Sequence, residues 1–236
     1  MKHITKNIHH FRLILSLQIL CTLFTSFQSA AQKPAEYRLF HLNHYVEKWS
    51  ATYKNLNYYF ISGTGNNKVL KKATMQFKKV DDECIGAEIT YFRMKGYENP
   101  DIPIIASPSF NAQSKIVNAT YTADKLLSPT DKINIDYNGK AYSLYTIKNK
   151  NESDSATICF KTGDKETRLA ATSFDQDYPA RIIYAGDINA DNQPDLILQV
   201  YQSTGIRWIL YLSDNSKPAN IQWKEASRCY FTATPC

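Results

Sequence analysis

The sequence predicts a mainly β domain, a β-sandwich or a twisted antiparallel sheet, with one N-terminal helix; an α+β fold is the alternative. Three observations carry this reading. Short apolar runs that alternate with period two recur along the chain, separated by turn residues roughly every 8–15 positions. Asn138-Gly139 stands between two such runs, and Asn-Gly accepts the positive φ angles of the hairpin turn whose twist matches its strands. Sixteen tyrosines suit half-exposed strand faces, where the ring is buried and the hydroxyl stays wet.

The chain opens with Lys2, Lys6 and Arg12 and no acidic residue, followed by a largely apolar stretch over 13–27. Ser29, Ala30 and Ala31 are small, as a signal peptidase requires. Residues 1–31 therefore read as a secretory signal peptide cut before Gln32. An uncleaved anchor is the alternative, but the apolar run falls short of the roughly 20 residues of a spanning helix. Cys21 follows Leu20, where a lipoprotein has a small residue, and counts with the signal. Cleavage leaves 205 of the 236 residues, one β-rich domain over 32–236 without a transmembrane span, secreted or held in the periplasm or at the cell surface. It also removes three basic residues, so the formal net charge falls from +6 to +3. With no Lys/Arg cluster interleaved with aromatics, nucleic acid is not the expected partner.

Cys84, Cys159, Cys229 and Cys236 remain. An even number in an exported chain reads as up to two disulfides with three possible connectivities. Their spacing favours Cys229 with Cys236 and hence Cys84 with Cys159; buried free thiols are the alternative.

Over 34–56, Leu39, Leu42, Val46, Trp49, Tyr53 and Leu56 recur in steps of three and four, which predicts a helix. His41 and His44 would share its face, as solvated side chains rather than ligands. Residues 57–61 begin the β texture, and Gly63 to Asn67 is a turn. Runs over 69–80 and 83–95 read as two strands joined at Asp81-Asp82. Pro100, Pro103 and Pro108 make 98–110 a loop or edge segment. The stretch 111–127 is most strand-like at 116–121. Residues 133–137 and 140–147 form the Asn-Gly hairpin, and 156–161 with 166–171 a second one around Gly163-Asp164. Strands over 181–185, 196–201 and 206–212 follow, and a last one near 227–232.

Between two of these strands, oxygen-bearing side chains fall at Asp187, Asn189, Asp191 and Asp195. Alternate positions in a tight loop can converge on one point, and three carboxylates with an amide oxygen suit a hard cation such as calcium. The pattern, preceded by Gly186 and followed by Leu196-Ile197-Leu198, resembles the calcium loop of FG-GAP or integrin-α-type repeats. It is also similar to secreted bacterial proteins that carry a single such loop. The resemblance, confined to the hairpin at 180–212, implies side-chain ligands at Asp187, Asn189, Asp191 and Asp195 and a main-chain ligand at Gln193, holding a structural Ca2+. It does not extend to a propeller, which needs several blades. Asn189 replaces a carboxylate. Asn192 stands where the family has glycine, and Asn tolerates the left-handed conformation better than most residues. The loop is not an EF-hand, since Leu198 occupies the position of the bidentate Glu.

These features predict an exported, non-catalytic β protein, a binding or cell-envelope module for an extracellular protein or glycan. The alternative is a secreted glycan-directed hydrolase using a carboxylate pair, Asp175 with Asp177 or Asp81 with Glu83.

Overall fold

A computed structural model describes residues 37–41, 45–46, 51–64, 67–82, 86–96, 103–108, 119–122, 125–128, 131–150, 155–173, 180–202, 205–214 and 221–231, all within the compact unit Glu36–Cys236. The signal peptide expected over 1–31 lies outside them. The described chain is mainly β, and none of its helices is long and apolar enough to cross a membrane.

The strands fall into four antiparallel sheets. The first contains β1 (Arg38–His41), β3 (Asn57–Ser62), β4 (Val69–Lys72) and β7 (Pro103–Ser107), in the order β1-β7-β3-β4. The second is β2 (Tyr45–Val46), β5 (Met75–Asp82) and β6 (Ala87–Met94), ordered β2-β6-β5. The third runs β12-β11-β10-β9-β8, from β12 (Lys165–Ser173) through β11 (Ser155–Thr162), β10 (Lys140–Lys148) and β9 (Lys132–Tyr137) to β8 (Thr120–Tyr121). The fourth is a meander of β13 (Ala180–Gly186), β14 (Asp195–Gln202), β15 (Gly205–Asp214) and β16 (Gln222–Phe231).

Three apolar clusters stack these sheets in layers. Ile133, Ile135, Leu144 and Phe160 of the third sheet pack against Ile182, Leu196, Leu198 and Ile209 of the fourth. The other face of the fourth sheet, with Tyr184, Ile197, Trp208 and Leu210, meets Leu39, Tyr59, Ile61 and Ile105 of the first. The first sheet's remaining face, Phe40, Tyr58, Phe60 and Ile104, packs with Met94, Met75 and Phe77 of the second. The central strands β3, β7 and β14 of the first and fourth sheets are thus covered on both faces, which is why they read as largely continuous apolar runs rather than alternating ones, while the edge strands β4 and β16 stay largely exposed. The outer β9 instead alternates buried and exposed at every step.

Two edges are closed. The backbone of 119–122 and 125–127 pairs with β9 through β8 and also reaches β13, with Ala119 N–H on Ala185 O at 3.1 Å and Leu127 N–H on Ala180 O at 2.7 Å. That segment rolls the third and fourth sheets over their shared core. Where β13 bulges after Ile182, the Ile183 carbonyl accepts from Lys68 Nζ at 2.6 Å.

The expected N-terminal helix is absent from the described part of 34–56. Arg38–His41 is a strand, Tyr45–Val46 another, and only Ala51–Asn55 coils, as a single 3-10 segment. The three-and-four spacing misled because consecutive Leu39 and Phe40 are buried in different clusters, a pattern that suits a strand between two layers and not one helical face. The proline-rich stretch also departs from expectation. Pro103–Ser107 is wholly buried and central, between β1 and β3. Pro103 is its first residue and Pro108 follows its last, so the prolines bracket the strand and do not interrupt its ladder. The single run expected over 69–80 divides at Ala73-Thr74 into strands of two different sheets.

Candidate metal centre

The acidic loop joins β13 to β14, whose last rungs are Ala185 with Leu196 and Gly186 with Asp195. Its backbone turns twice through the left-handed region, at Ala190 (φ 63°) and Asn192 (φ 66°). Asn192 adopts the conformation that its position in the pattern requires. Ala190 does so without an Asx side chain to help, at some cost in backbone energy.

The Asp187 carboxylate caps this turn, accepting from Asp191 N–H at 3.1 Å and Asn192 N–H at 2.8 Å. Asn189 Oδ1 also accepts from Asp191 N–H at 3.1 Å, and Asp191 Oδ1 accepts from Gln193 N–H at 2.9 Å. Such Asx bonds to the chain two to five residues on give a turn local stability. Asp191 Oδ2 takes the Ser213 hydroxyl at 2.6 Å.

Asp195 is different in kind. It is fully buried, and its Oδ2 accepts from the backbone N–H of Ile188 at 2.7 Å and of Asn189 at 3.1 Å. Its Oδ1 accepts from Ser213 N–H at 2.8 Å and lies 3.1 Å from the Ser213 hydroxyl oxygen. One carboxylate therefore ties the start of the loop to the end of β15. The Ser213 hydroxyl has a single hydrogen and stands between two carboxylates, so it serves Asp191 or Asp195 but not both. Burial pushes the Asp195 carboxyl well above the ordinary range against these donors, and Asp191 rises for the same leading reason.

The loop also docks on the third sheet. Asn138, in the left-handed turn of the β9–β10 hairpin, donates through Nδ2 to Asn192 Oδ1 at 2.9 Å. The Tyr142 hydroxyl donates to Gln193 Oε1 at 2.9 Å, and the Tyr137 hydroxyl lies 3.5 Å from Asp187 Oδ2. Trp223 of β16 donates from its indole to Pro194 O at 2.7 Å, with its ring edge-on to Phe160 at 4.6 Å. The Tyr37 and Tyr137 hydroxyls are each pushed up to about 12, first by burial and then by the negative charge of the loop.

The structure thus brings Asp187, Asn189, Asp191, Gln193 and Asp195 together on one loop with shared partners. It does not gather three acidic, His or Cys side chains into a metal-binding group among the described residues. Asp187 and Asn189 keep acceptor capacity beyond the bonds above; Asp191, which also accepts from Asn189 Nδ2 at 3.3 Å, keeps less, and Asp195 has little left, a carboxylate having about four acceptor sites. Ser213, Tyr137, Asn138, Tyr142 and Trp223 were not legible as partners, because nothing in their local sequence indicates which strand end meets the loop.

Elsewhere the expected sites scatter. His44, Glu83, Asp175, Asp177, Cys84 and Cys236 lie outside the described residues. Cys159 is a buried free thiol, pushed up to about 11 by burial, and Cys229 is buried in β16. No family model matches the chain, and no curated protein and no solved structure is significantly similar to it.

Proposed function

We propose that this chain is an exported, non-catalytic β protein, a binding or cell-envelope module whose 187–195 loop is a calcium-responsive clamp between two sheets. One observation carries the reading: three carboxylates sit on a loop that bonds at once to β15, to β16 and to the tip of the β9–β10 hairpin. Two of them are held above their ordinary pKa by burial, so positive charge at this point would favour the folded form. The donors are hard oxygens, which fit calcium and not a soft metal. Asp187, Asn189 and Asp191 would hold the ion through side chains and Gln193 through its main chain. Asp195 completes the set in the resembling family; here it has the least acceptor capacity free and chiefly fixes the loop. The FG-GAP-like reading applies to this hairpin alone.

Calcium would stabilise the folded state by mass action, about 2.7 kcal/mol at a hundredfold excess over Kd. Melting the purified protein in calcium and in chelator tests this. A rise of several degrees in calcium, lost in Asp191→Ala, is expected. Identical melts in both buffers would remove the metal from the proposal. Fractionation of expressing cells and the mass of the mature N-terminus test export separately, with Gln32 the expected first residue.

A further inference from the structure

The charges on the described surface are unevenly partnered. Lys79 pairs with Glu88, Lys125 with Asp131, Lys224 with Asp214 and Arg228 with Glu225. On the third sheet, exposed Lys132, Lys140, Lys148, Lys165 and Arg168 share the strands and turns with exposed Asp136, Asp164 and Glu166. The corner where β4 passes into β5 is unlike either case. Lys71 and Lys72 end β4, Lys78 lies on β5, and Arg93 and Lys95 lie at the end of β6; all five are exposed. None makes an ion pair among the described residues. Asp81, Asp82 and Glu88 of the β5–β6 hairpin lie nearer its opposite end, where Asp81 is opposite Glu88 and Lys79 pairs with Glu88.

Register brings these cations together. Gln76 is opposite Arg93 and Lys78 opposite Tyr91, so Lys78 and Arg93 are diagonal neighbours on one face. Met75, Phe77 and Met94, which pack into the core, belong to the opposite face by the two-residue alternation of strands. Lys95 N–H bonds Thr74 O at 3.1 Å, which places it two residues from Lys72 across the corner. Positions i and i+2 of a strand are about 7 Å apart, so Lys72, Lys95, Arg93 and Lys78 form a row of single cations at about that pitch, whereas Lys71, opposite Phe60, belongs to the other face.

We propose that this corner binds an acidic polysaccharide, a glycan chain with carboxylate or sulfate groups at intervals. It rests on the proposed exported binding role, for which it supplies a ligand class, and is independent of calcium. Three of the row's four cations are lysines, compact point charges that meet spaced anions without the bidentate geometry that arginine gives to phosphate. The large hydrophobic side chains in the exposed class are Val69, Ile147 and Tyr230. The aromatic one of these, Tyr230, lies on β16; among the described residues the ring on this corner is half-buried Tyr91, opposite Lys78, and one half-buried ring is no row of stacking platforms for successive nucleic-acid bases. A single exposed valine beside the corner is too little apolar surface to enter a bilayer.

The test measures binding of the purified protein to polygalacturonate and to heparin, with neutral dextran, duplex DNA and phosphatidylglycerol vesicles as comparisons, at low and physiological salt. Expected are binding to at least one acidic glycan but not to dextran, weakening as salt screens the charges, and a loss of at least tenfold in Lys72→Glu/Lys78→Glu/Lys95→Glu. The matched variant Lys132→Glu/Lys148→Glu/Lys165→Glu, with the same change in net charge, should stay within about threefold of the parent by the same screening argument. If the first triple variant does not fold by circular dichroism, the three Lys→Gln substitutions replace it, with a smaller loss at the same positions. No glycan binding, an equal loss in both variants, or tighter binding to DNA or vesicles than to either acidic glycan overturns the proposal. Running every arm in calcium and in chelator separates it from the clamp: glycan binding that persists in chelator stands even if the calcium reading fails. Failure of export is read independently from the cell fractions.

Discussion

At the scale of single residues, Asp195 and Ser213 decide how the acidic loop is held. Asp195 receives three backbone N–H groups, two from the start of the loop and one from the end of β15, and shares the Ser213 hydroxyl with Asp191. Replacing Asp195 by Asn turns one acceptor oxygen into a donor facing those N–H groups. The expected destabilisation is about 3 kcal/mol, since buried donors lose their acceptor. Ser213→Ala keeps the backbone bond and removes only the shared hydroxyl, so a cost of about 1 kcal/mol is expected. Urea unfolding in chelator measures both; equal losses would show that the hydroxyl, not the carboxylate, is the hub. The direction of the Asp195 shift fixes a pH dependence. A carboxyl whose folded pKa lies above its unfolded value binds more protons when folded, so stability falls as pH rises through that interval. In chelator the protein is therefore expected to gain stability on acidification from neutral pH toward the ordinary carboxylate range. Urea midpoints at a series of pH values check this, and a loss of stability over that range would contradict the shift. The left-handed Asn192 was legible from the pattern, because Asn tolerates that conformation. Ala190 was not, since alanine carries no preference for it and only the closed loop imposes φ 63°.

Among the elements, strands whose local chemistry and burial agree were the legible ones. The Asn138-Gly139 hairpin, the Gly163 turn and the three strands around the acidic loop follow their sequence signals. Apart from the run over 69–80, which bends from one sheet into another at Ala73-Thr74, the failures belong to strands buried on both faces. Arg38–His41 reads as part of a helix because its apolar residues serve two layers, and Pro103–Ser107 reads as a loop because its flanking prolines dominate the pattern. Neither burial nor the presence of a neighbour on each side is written locally; both come from pairing with segments far along the chain. If β7 is the central strand described, Ile105, fully buried and packed with Leu39, Tyr59 and Trp208, is a core residue. Ile105→Ala should then cost about 2–5 kcal/mol. Denaturant unfolding reads this directly, and a cost within about 0.5 kcal/mol, as for a surface loop, would return the segment to the periphery.

For the whole molecule, the layered stack separates what the clamp touches from what it does not. The acidic loop bonds to the third sheet through Asn138 and Tyr142 and to the fourth through Ser213 and Trp223. The second sheet packs on the far face of the first, through Met94, Met75 and Phe77. Local opening free energies differ among such units, and a bound ion raises most the units whose opening releases it. Removing calcium should therefore act unevenly. Hydrogen exchange in chelator is expected to speed up at the β9–β10 tip, in the 187–195 loop and at the end of β15, by roughly tenfold for each 1.4 kcal/mol of lost binding energy. Amides of β5 and β6 should change little unless they exchange only by global unfolding, which their rate relative to the slowest amides identifies. If calcium instead protects all four sheets equally, the ion stabilises one cooperative unit and the loop is not a local clamp. No change anywhere would leave the three carboxylates as a hydrogen-bonded turn, held by Ser213 and the backbone alone.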